Sequence, residues 1–129
     1  MWLQVLLVGT GGALGSVSRF LMSGAVQRLS GSLHFPYGTL AVNLLGGFLL
    51  GLVMELARPG IVSPQVRLFL TVGFLGGFTT FSTYTYESVR LLEKGEYLVA
   101  TTNLVGSVVV GVTFTLLGLL LGRMIFHWL

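Results

Sequence analysis

The sequence has no cysteine and no aspartate, and it has few charged residues of any kind. The absence of cysteine excludes disulfides and thiolate metal sites. The histidines, His34 and His127, lie far apart, so a metal cluster or a Ser-His-Asp triad lacks the parts it needs. The lysines and arginines are scattered singly, whereas nucleic-acid binding requires a basic stripe. These absences argue against an enzyme and against a nucleic-acid-binding protein.

Hydrophobic residues make up 53% of the 129 residues, and charged residues make up only 9%. A soluble domain carries about 25% charged residues, which cover its water-facing surface. So little charge leaves no ordinary water-facing surface. The composition therefore predicts an integral membrane protein whose immediate partner is the lipid bilayer.

Four stretches are apolar enough to cross a bilayer as helices, each crossing needing about 20 residues. They are predicted at residues 2–22, 38–57, 64–92 and 97–126. The first lacks the basic n-region and the following mature domain of a cleaved signal peptide. The intervening turns contain Arg28 and Ser30, the "RPG" run from Arg58, and the "EKGE" run from Glu93. The predicted fold is all-α, with a single transmembrane domain over residues 1–129.

Glycines recur four residues apart in each predicted span. The pairs are Gly11 and Gly15, Gly47 and Gly51, Gly73 and Gly77, and Gly118 and Gly122. In lipid, such pairs let helix backbones approach closely. Packing within one bundle is the simpler interpretation, because glycine is common in membrane helices.

The positive residues do not indicate which side of the membrane is cytoplasmic. With four spans, one side carries Arg58, Arg67 and Arg123, and the other carries Arg28, Arg90 and Lys94, with Arg19 near a span end. One explanation is that the chain inserts in both orientations, so that two copies form an antiparallel dimer. The other is that the signal is too weak to read in so small a protein. Four helices enclose little space, which favours a pathway built between subunits.

The stretch "GFLGGFTTFSTYTYE", residues 73–87, places hydroxyl groups in the middle of the third span, where unpaired polar groups are costly. Gly76 and Gly77 weaken the helix, and the following threonines and serines compete for backbone groups. We therefore expect a helix broken in mid-membrane, with two half-helices meeting there. Irregular backbone at that depth is tolerated only where it is buried in protein or lines a cavity. Half-helix ends offer carbonyls to a cation and amides to an anion.

The side chains of this stretch favour an anion. A stripe of Phe74, Phe78 and Phe81 on one helical face is compatible with simple packing. Phe81 and Tyr84, however, lie three apart among hydroxyl side chains. The positive edge of an aromatic ring can face an anion, and hydroxyls donate hydrogen bonds without a fixed charge. Together they would replace the water around a small anion without trapping it.

Further polar residues are expected along the same route. Asn43 and Thr39 share a face of the second span, although an asparagine in lipid also acts as helix–helix glue. Ser107 in the fourth span would either line the route or bond back to its own helix. Arg19 would either snorkel to the interface or line an anion vestibule. Glu87 must find a donor or reach water.

Three segments resemble the Fluc/CrcB family of fluoride channels. They are "GGALGSVSRF" at residues 11–20, "GTLAVNLLGG" at residues 38–47 and the stretch at residues 73–87. The third is long and unusual, hence specific, whereas the glycine pairs alone would not be. With the four-span layout, the resemblance covers essentially the whole chain.

The resemblance implies a fluoride-selective channel of the bacterial inner membrane that passively lets accumulated fluoride escape. Two subunits would form an antiparallel, dual-topology homodimer with two pores and a central structural sodium ion. The backbone carbonyls of Gly76 and Thr79 from both subunits would hold the sodium. The pore would be lined by Asn43, the rings of Phe81 and Tyr84, the hydroxyls of Ser82, Thr83 and Ser107, and Thr39, with Arg19 near the vestibule.

Two positions depart from the family pattern. The second ring position is typically Phe, and here Tyr84 adds a hydroxyl beside the ring edge. Gly111 stands where some relatives would place a further hydroxyl on the fourth span.

Two other classes fit a small four-span protein. Small multidrug transporters carry a membrane-embedded acid in the first span, but residues 2–22 contain no Asp or Glu. A purely structural membrane subunit would have no use for the polar middle of the third span, because such groups are costly in lipid.

Overall fold

The computed structural model describes residues 1–58 and 60–128, and the described residues are helices and short connections without a β-strand. Pro59 of the "RPG" turn and Leu129 lie outside the described residues. The segments long and apolar enough to span a membrane are Trp2–Ser30, Tyr37–Leu56, Pro64–Glu93 and Tyr97–Trp128. Many of their large apolar side chains face outward, such as Phe20 at 76% exposure and Leu98 at 82%. In water such a surface would aggregate, so this is a multi-pass membrane protein.

The first helix is longer than the predicted crossing. It continues to Ser30, so Arg28 and Ser30 are helical and do not belong to the turn as the sequence suggested. The helix ends at Gly31, whose φ of 63° is left-handed and whose N–H donates to the Arg28 carbonyl. At 29 residues the helix is about 44 Å long, which exceeds the hydrocarbon thickness of a bilayer.

The turn into the second helix is held by one side chain of the first helix. Gln27 Nε2 donates to the Ser32 carbonyl at 2.8 Å and to the Phe35 carbonyl at 3.2 Å. Gln27 Oε1 accepts from the Gly38 N–H at 3.0 Å. These bonds fix the start of the helix Tyr37–Leu56 against the end of the first helix.

The third span consists of several segments. Ser63 caps the helix Pro64–Leu68, which continues as a π-helical segment, Phe69–Leu75, and a last helical turn, Gly76–Phe78. Thr79 and Thr80 are extended, with ψ of 157° and 120°, and the helix resumes as Phe81–Glu93. Gly76 and Gly77, where the sequence placed the weak point, keep helical geometry themselves. We call Thr79 and Thr80 the interruption. The sequence placed such a break at the membrane midplane, and this depth stays a prediction.

The fourth span also contains a π-helical segment. It runs as Tyr97–Thr101, then the π-helical Thr102–Gly106, then the long helix Ser107–Trp128. That long helix packs most extensively on the second helix. At the end of the bundle that carries the termini, Glu55 of the second helix pairs with both Arg58 and Arg123.

The predicted glycine pairs lie at close helix contacts, as the packing interpretation expects. A Cβ added to Gly73 would lie 3.1 Å from the Gly11 Cα, and one added to Gly77 would lie 3.0 Å from the Gly12 Cα. Likewise, a Cβ on Gly122 would lie 2.7 Å from the Glu55 Cβ. Glycine therefore lets the first part of the third span approach the first helix, and the fourth span approach the second.

Candidate functional site

Asn43 of the second helix hydrogen-bonds to both backbone polar groups of Thr80 in the interruption. Its Nδ2 donates to the Thr80 carbonyl at 2.9 Å, and its Oδ1 accepts from the Thr80 N–H at 2.7 Å. An extended residue between two helical segments has no intrahelical partner for these groups, and leaving them unpaired in lipid is costly. The amide thus acts as interhelical glue, directed at the backbone of one residue.

This pairing changes the environment of the Gly76 carbonyl. In a continuous α-helix the Thr80 N–H would donate to the carbonyl four residues earlier, which is that of Gly76. Here the Thr80 N–H donates to Asn43 instead. The Gly76 carbonyl is thereby released from its usual helical donor.

Arg19 reaches the interruption from the first helix. Its Nη1 donates to the Thr79 carbonyl at 3.2 Å. Thr79 is further tied to the preceding turn, because both its N–H and its Oγ1 donate to the Leu75 carbonyl. The side chain of Arg19 therefore contacts the interruption, whereas snorkelling alone would carry it to the interface.

A cavity of about 340 Å³ lies beside the interruption. Its lining brings together residues that the sequence assigned to an ion site: Asn43, Gly76, Thr79, Phe81 and Tyr84. Apolar residues such as Leu50 and Leu75 complete the wall. A few polar groups in a mainly apolar concavity are typical of a small-ligand site.

The aromatic rings at this cavity differ in exposure. Phe81 and Tyr84 have their ring centroids 5.8 Å apart with planes inclined at 47°. Phe81 is 76% exposed on the single subunit, whereas Tyr84 is 8% exposed. The tilted pair leaves ring edges available, and one of its rings projects out of the subunit.

The predicted hydroxyl residues separate into two groups. Ser82 and Thr83 lie on the exposed side of the first turn after the interruption, where Thr80 Oγ1 caps the helix by accepting from the Thr83 N–H at 3.2 Å. Ser107 lies away from this cavity. It lines a groove of about 390 Å³ that it shares with Asn43, between the second and fourth spans.

Thr39 and Glu87 meet at a third cavity, at the end of the bundle where the first and third turns lie. Thr39 Oγ1 donates to Glu87 Oε1 at 2.7 Å, so Glu87 has found a donor within the protein. Its Oε2 is buried with no hydrogen-bond partner among residues 1–58 and 60–128. The cavity measures about 380 Å³, and Arg90 and Lys94 lie in its wall. The structure thus separates Thr39 from the cavity around Phe81 and places it beside an acid.

Ser88 and Asn103 are buried polar residues, bonded to Tyr84 and Ser107, that the sequence analysis did not single out. They are 1% and 2% exposed. Asn103 Nδ2 donates to Ser88 Oγ at 2.9 Å, Ser88 Oγ donates to the Tyr84 carbonyl at 2.8 Å, and Ser107 Oγ donates to Asn103 Oδ1 at 3.1 Å. An asparagine inside an apolar span was the available signal, since the same reasoning selected Asn43.

The described part of the chain contains no group of three or more His, Asp or Glu side chains that could hold a metal ion. A hard cation such as sodium binds oxygen ligands, and backbone carbonyls at a helix interruption supply them. The Gly76 carbonyl, released by the Asn43 pairing, and the Thr79 carbonyl three residues later fit such a ligand set. The Thr79 carbonyl retains a second lone pair besides the one that accepts from Arg19.

The chain resembles proteins of the ion-channel class. A family model described as "CrcB-like protein, Camphor Resistance (CrcB)" matches residues 6–119. A relative from Geotalea daltonii, named "Fluoride-specific ion channel FluC", is 52% identical over 122 residues, covering 94% of this chain and 98% of the relative. Relatives of the same name come from Geotalea uraniireducens, 52% identical with 92% of this chain and 96% of the relative covered, and Agrobacterium fabrum, 46% identical with 96% and 99% covered.

The chain belongs to the CrcB family, as the resemblance predicted. The relatives are named as ion channels, a class that is not enzymatic, which agrees with the expectation drawn from the absent catalytic groups.

Proposed function

We propose that this chain forms a fluoride-selective channel that conducts fluoride passively across the membrane. The observation that carries the proposal is the 52% identity, over 94% of the chain, to a relative named as a fluoride-specific ion channel. The cavity at the interruption supports it, because Asn43 and the ring pair of Phe81 and Tyr84 meet there. Escape of fluoride through such a pore would relieve its toxicity to the cell.

The chemistry of the site suits an anion that holds its water tightly. Ser82 and Thr83 offer hydroxyl donors on the exposed turn, and Phe81 offers a ring edge beside them. None of these groups carries a full positive charge, so fluoride would find substitutes for its water without being bound too firmly to leave. Arg19 and the cavity holding Glu87, Arg90 and Lys94 would then serve as approaches.

Two antiparallel copies would complete the pathway. In one subunit Phe81, Ser82 and Thr83 are exposed, and two of these are polar side chains that hydrocarbon would not favour. A second copy would cover this surface and supply facing walls, giving two pores per dimer. The balanced distribution of positive residues between the two ends supports insertion in both orientations.

A structural sodium ion would lie where the interruptions of the two subunits meet. Each subunit would contribute the carbonyls of Gly76 and Thr79, and the ion would hold the two half-helix ends together. The third span would thus act as two half-helices meeting at the membrane midplane. The expected location is the inner membrane of a bacterial cell.

Ion efflux from liposomes tests the proposal. Purified protein is reconstituted with internal potassium fluoride or potassium chloride, and a potassium ionophore carries the countercharge. An ion-selective electrode then follows each batch. We expect rapid fluoride release and no chloride release. Release of neither ion by folded, dimeric protein would refute the channel, and proton-coupled export of cations would be tested next.

A further inference from the structure

The hydroxyl of Tyr84 is occupied by a bond to the fourth span. Its Oη donates to the Leu104 carbonyl at 2.6 Å. Tyr84 is 8% exposed, and Leu104 lies in the π-helical segment Thr102–Gly106. π-Helical turns shift the backbone hydrogen-bond register and are frequent at functional sites. Here one carbonyl of such a segment accepts a side-chain donor from another span.

The hydroxyl proton is therefore committed to the protein. A phenol has one O–H donor, and in this structure it is directed at Leu104. Breaking this bond would leave the hydroxyl unpaired in an apolar interior, which is costly. An anion in the adjacent cavity would thus meet the ring of Tyr84 but not its donor.

Tyr84 is bonded to the fourth span through its side chain, and its backbone is linked to the same span. At the tip of the ring, the hydroxyl bonds to Leu104. On the backbone, the Tyr84 carbonyl accepts from Ser88 Oγ, which accepts in turn from Asn103 of the same π-helical segment. The ring lines the cavity at the interruption, 5.8 Å from that of Phe81. Its orientation toward that cavity is thus set by the fourth span.

We infer that the Tyr84 hydroxyl is a positioning group, which fixes the ring edge toward the ion by bonding to the Leu104 carbonyl and does not donate to fluoride. A phenylalanine at this position would present the same ring without this anchor. The inference rests on the proposed function, because the ring matters only if an anion passes the cavity.

Tyr84→Phe tests the role by flux, with Tyr97→Phe as the matched control. Tyr97 is 67% exposed at the start of the fourth span, away from the cavity. In Tyr84→Phe we expect fluoride efflux within about threefold of wild type and no measurable chloride efflux, because the hydroxyl does not donate to the ion and the ring still lines the cavity. A loss of fluoride efflux of about tenfold or more would show direct donation to the ion and would overturn the inference.

Fluorine NMR tests the bond without reference to transport. The chain has 4 tyrosines, so labelling with 3-fluorotyrosine gives resonances that single Tyr→Phe variants assign. Replacing Val105 by its α-hydroxy acid turns the Leu104 carbonyl into an ester, a weaker acceptor. We expect the Tyr84 resonance to shift in the ester protein, because the weakened acceptor loosens the bond from the labelled phenol.

The two possible failures are distinguishable. A Tyr84 resonance that does not respond to the ester overturns the inference whatever the flux. Wild-type liposomes that release no fluoride refute the proposed function, while the response to the ester still reports whether Leu104 holds the hydroxyl.

Discussion

The two parts of the third span are held in the bundle by different forces. Before the interruption, residues 64–78 lie against the first helix through glycine, with a Cβ on Gly73 reaching to 3.1 Å from the Gly11 Cα. After it, the helix Phe81–Glu93 is fixed by side-chain hydrogen bonds, from Tyr84 to Leu104 and from Thr39 to Glu87. One part depends on close backbone contact, and the other on directional polar bonds.

This difference indicates which substitutions should affect stability and which should affect ion handling. Close glycine contacts contribute packing, and they bring no side-chain donor to an ion. Directional bonds cost more to assemble in lipid, yet they hold donors, carbonyls and ring edges in fixed orientations. Substitutions in the first part should therefore act mainly on folding, and those around the second part mainly on flux.

A large loss of stability is expected for Gly77→Ala. The added Cβ would lie 2.5 Å from the Gly12 carbonyl oxygen, so the two helices must separate. Overpacking of this kind costs about 1–3 kcal/mol. Thermal unfolding in detergent measures it, with Gly9→Ala as the control because nothing lies within 4 Å of a Cβ there. Equal Tm values for the two variants would contradict the packing account.

Asn43→Ala should cause the largest loss of flux. Removing the amide takes away the Asn43 partners of the Thr80 N–H and carbonyl, so the interruption should change conformation. We expect fluoride efflux to fall by about tenfold or more. Thr113→Val is the control, since the Thr113 hydroxyl bonds only to its own helix on an exposed face. Wild-type flux in Asn43→Ala would contradict the claim that conduction depends on the conformation of the interruption.

Replacing sodium should lower stability by a comparable amount. An ion that binds only the folded dimer stabilises it by about 2.7 kcal/mol when present at one hundred times its Kd. We expect a lower Tm in N-methylglucamine chloride than in sodium chloride, and no such difference in Asn43→Ala, where the Thr80 N–H can return to the Gly76 carbonyl. A wild-type Tm indifferent to sodium would rule out the proposed ion.

Ser82→Ala should have the smallest effect. The Ser82 hydroxyl is exposed and makes a long hydrogen bond of 3.5 Å to Thr80 Oγ1, so its loss should leave folding unchanged. A single donor to the ion is worth about 0.5–1.5 kcal/mol, and fluoride efflux should therefore fall by about two- to tenfold. A lowered Tm with normal flux would show that Ser82 contributes to stability and not to ion handling, contrary to the role proposed for the helix after the interruption.

The sequence predicted the features that depend on periodicity and composition. The spans follow from apolar length, and the glycine pairs lie at helix contacts as expected. Asn43 and Thr39 were assigned to one helical face, and both contact the third span from the interruption onward.

The sequence could not predict which groups pair across helices. The non-helical residues are Thr79 and Thr80, beyond Gly76 and Gly77, because Asn43 satisfies the backbone of Thr80 while Gly77 is needed for contact with the first helix. That choice depends on the rotation of neighbouring helices, which one sequence does not display. The π-helical segments and the Tyr84 bond to Leu104 were missed for the same reason.

The reversal potential of purified protein in a planar bilayer tests the central claim most directly. With sodium fluoride on one side and sodium chloride at equal concentration on the other, a fluoride-selective channel carries current with a large reversal potential of the sign set by the fluoride gradient. The account predicts this result for wild type and loss of the current in Asn43→Ala. A reversal potential near zero, with both anions carrying current equally, would contradict it.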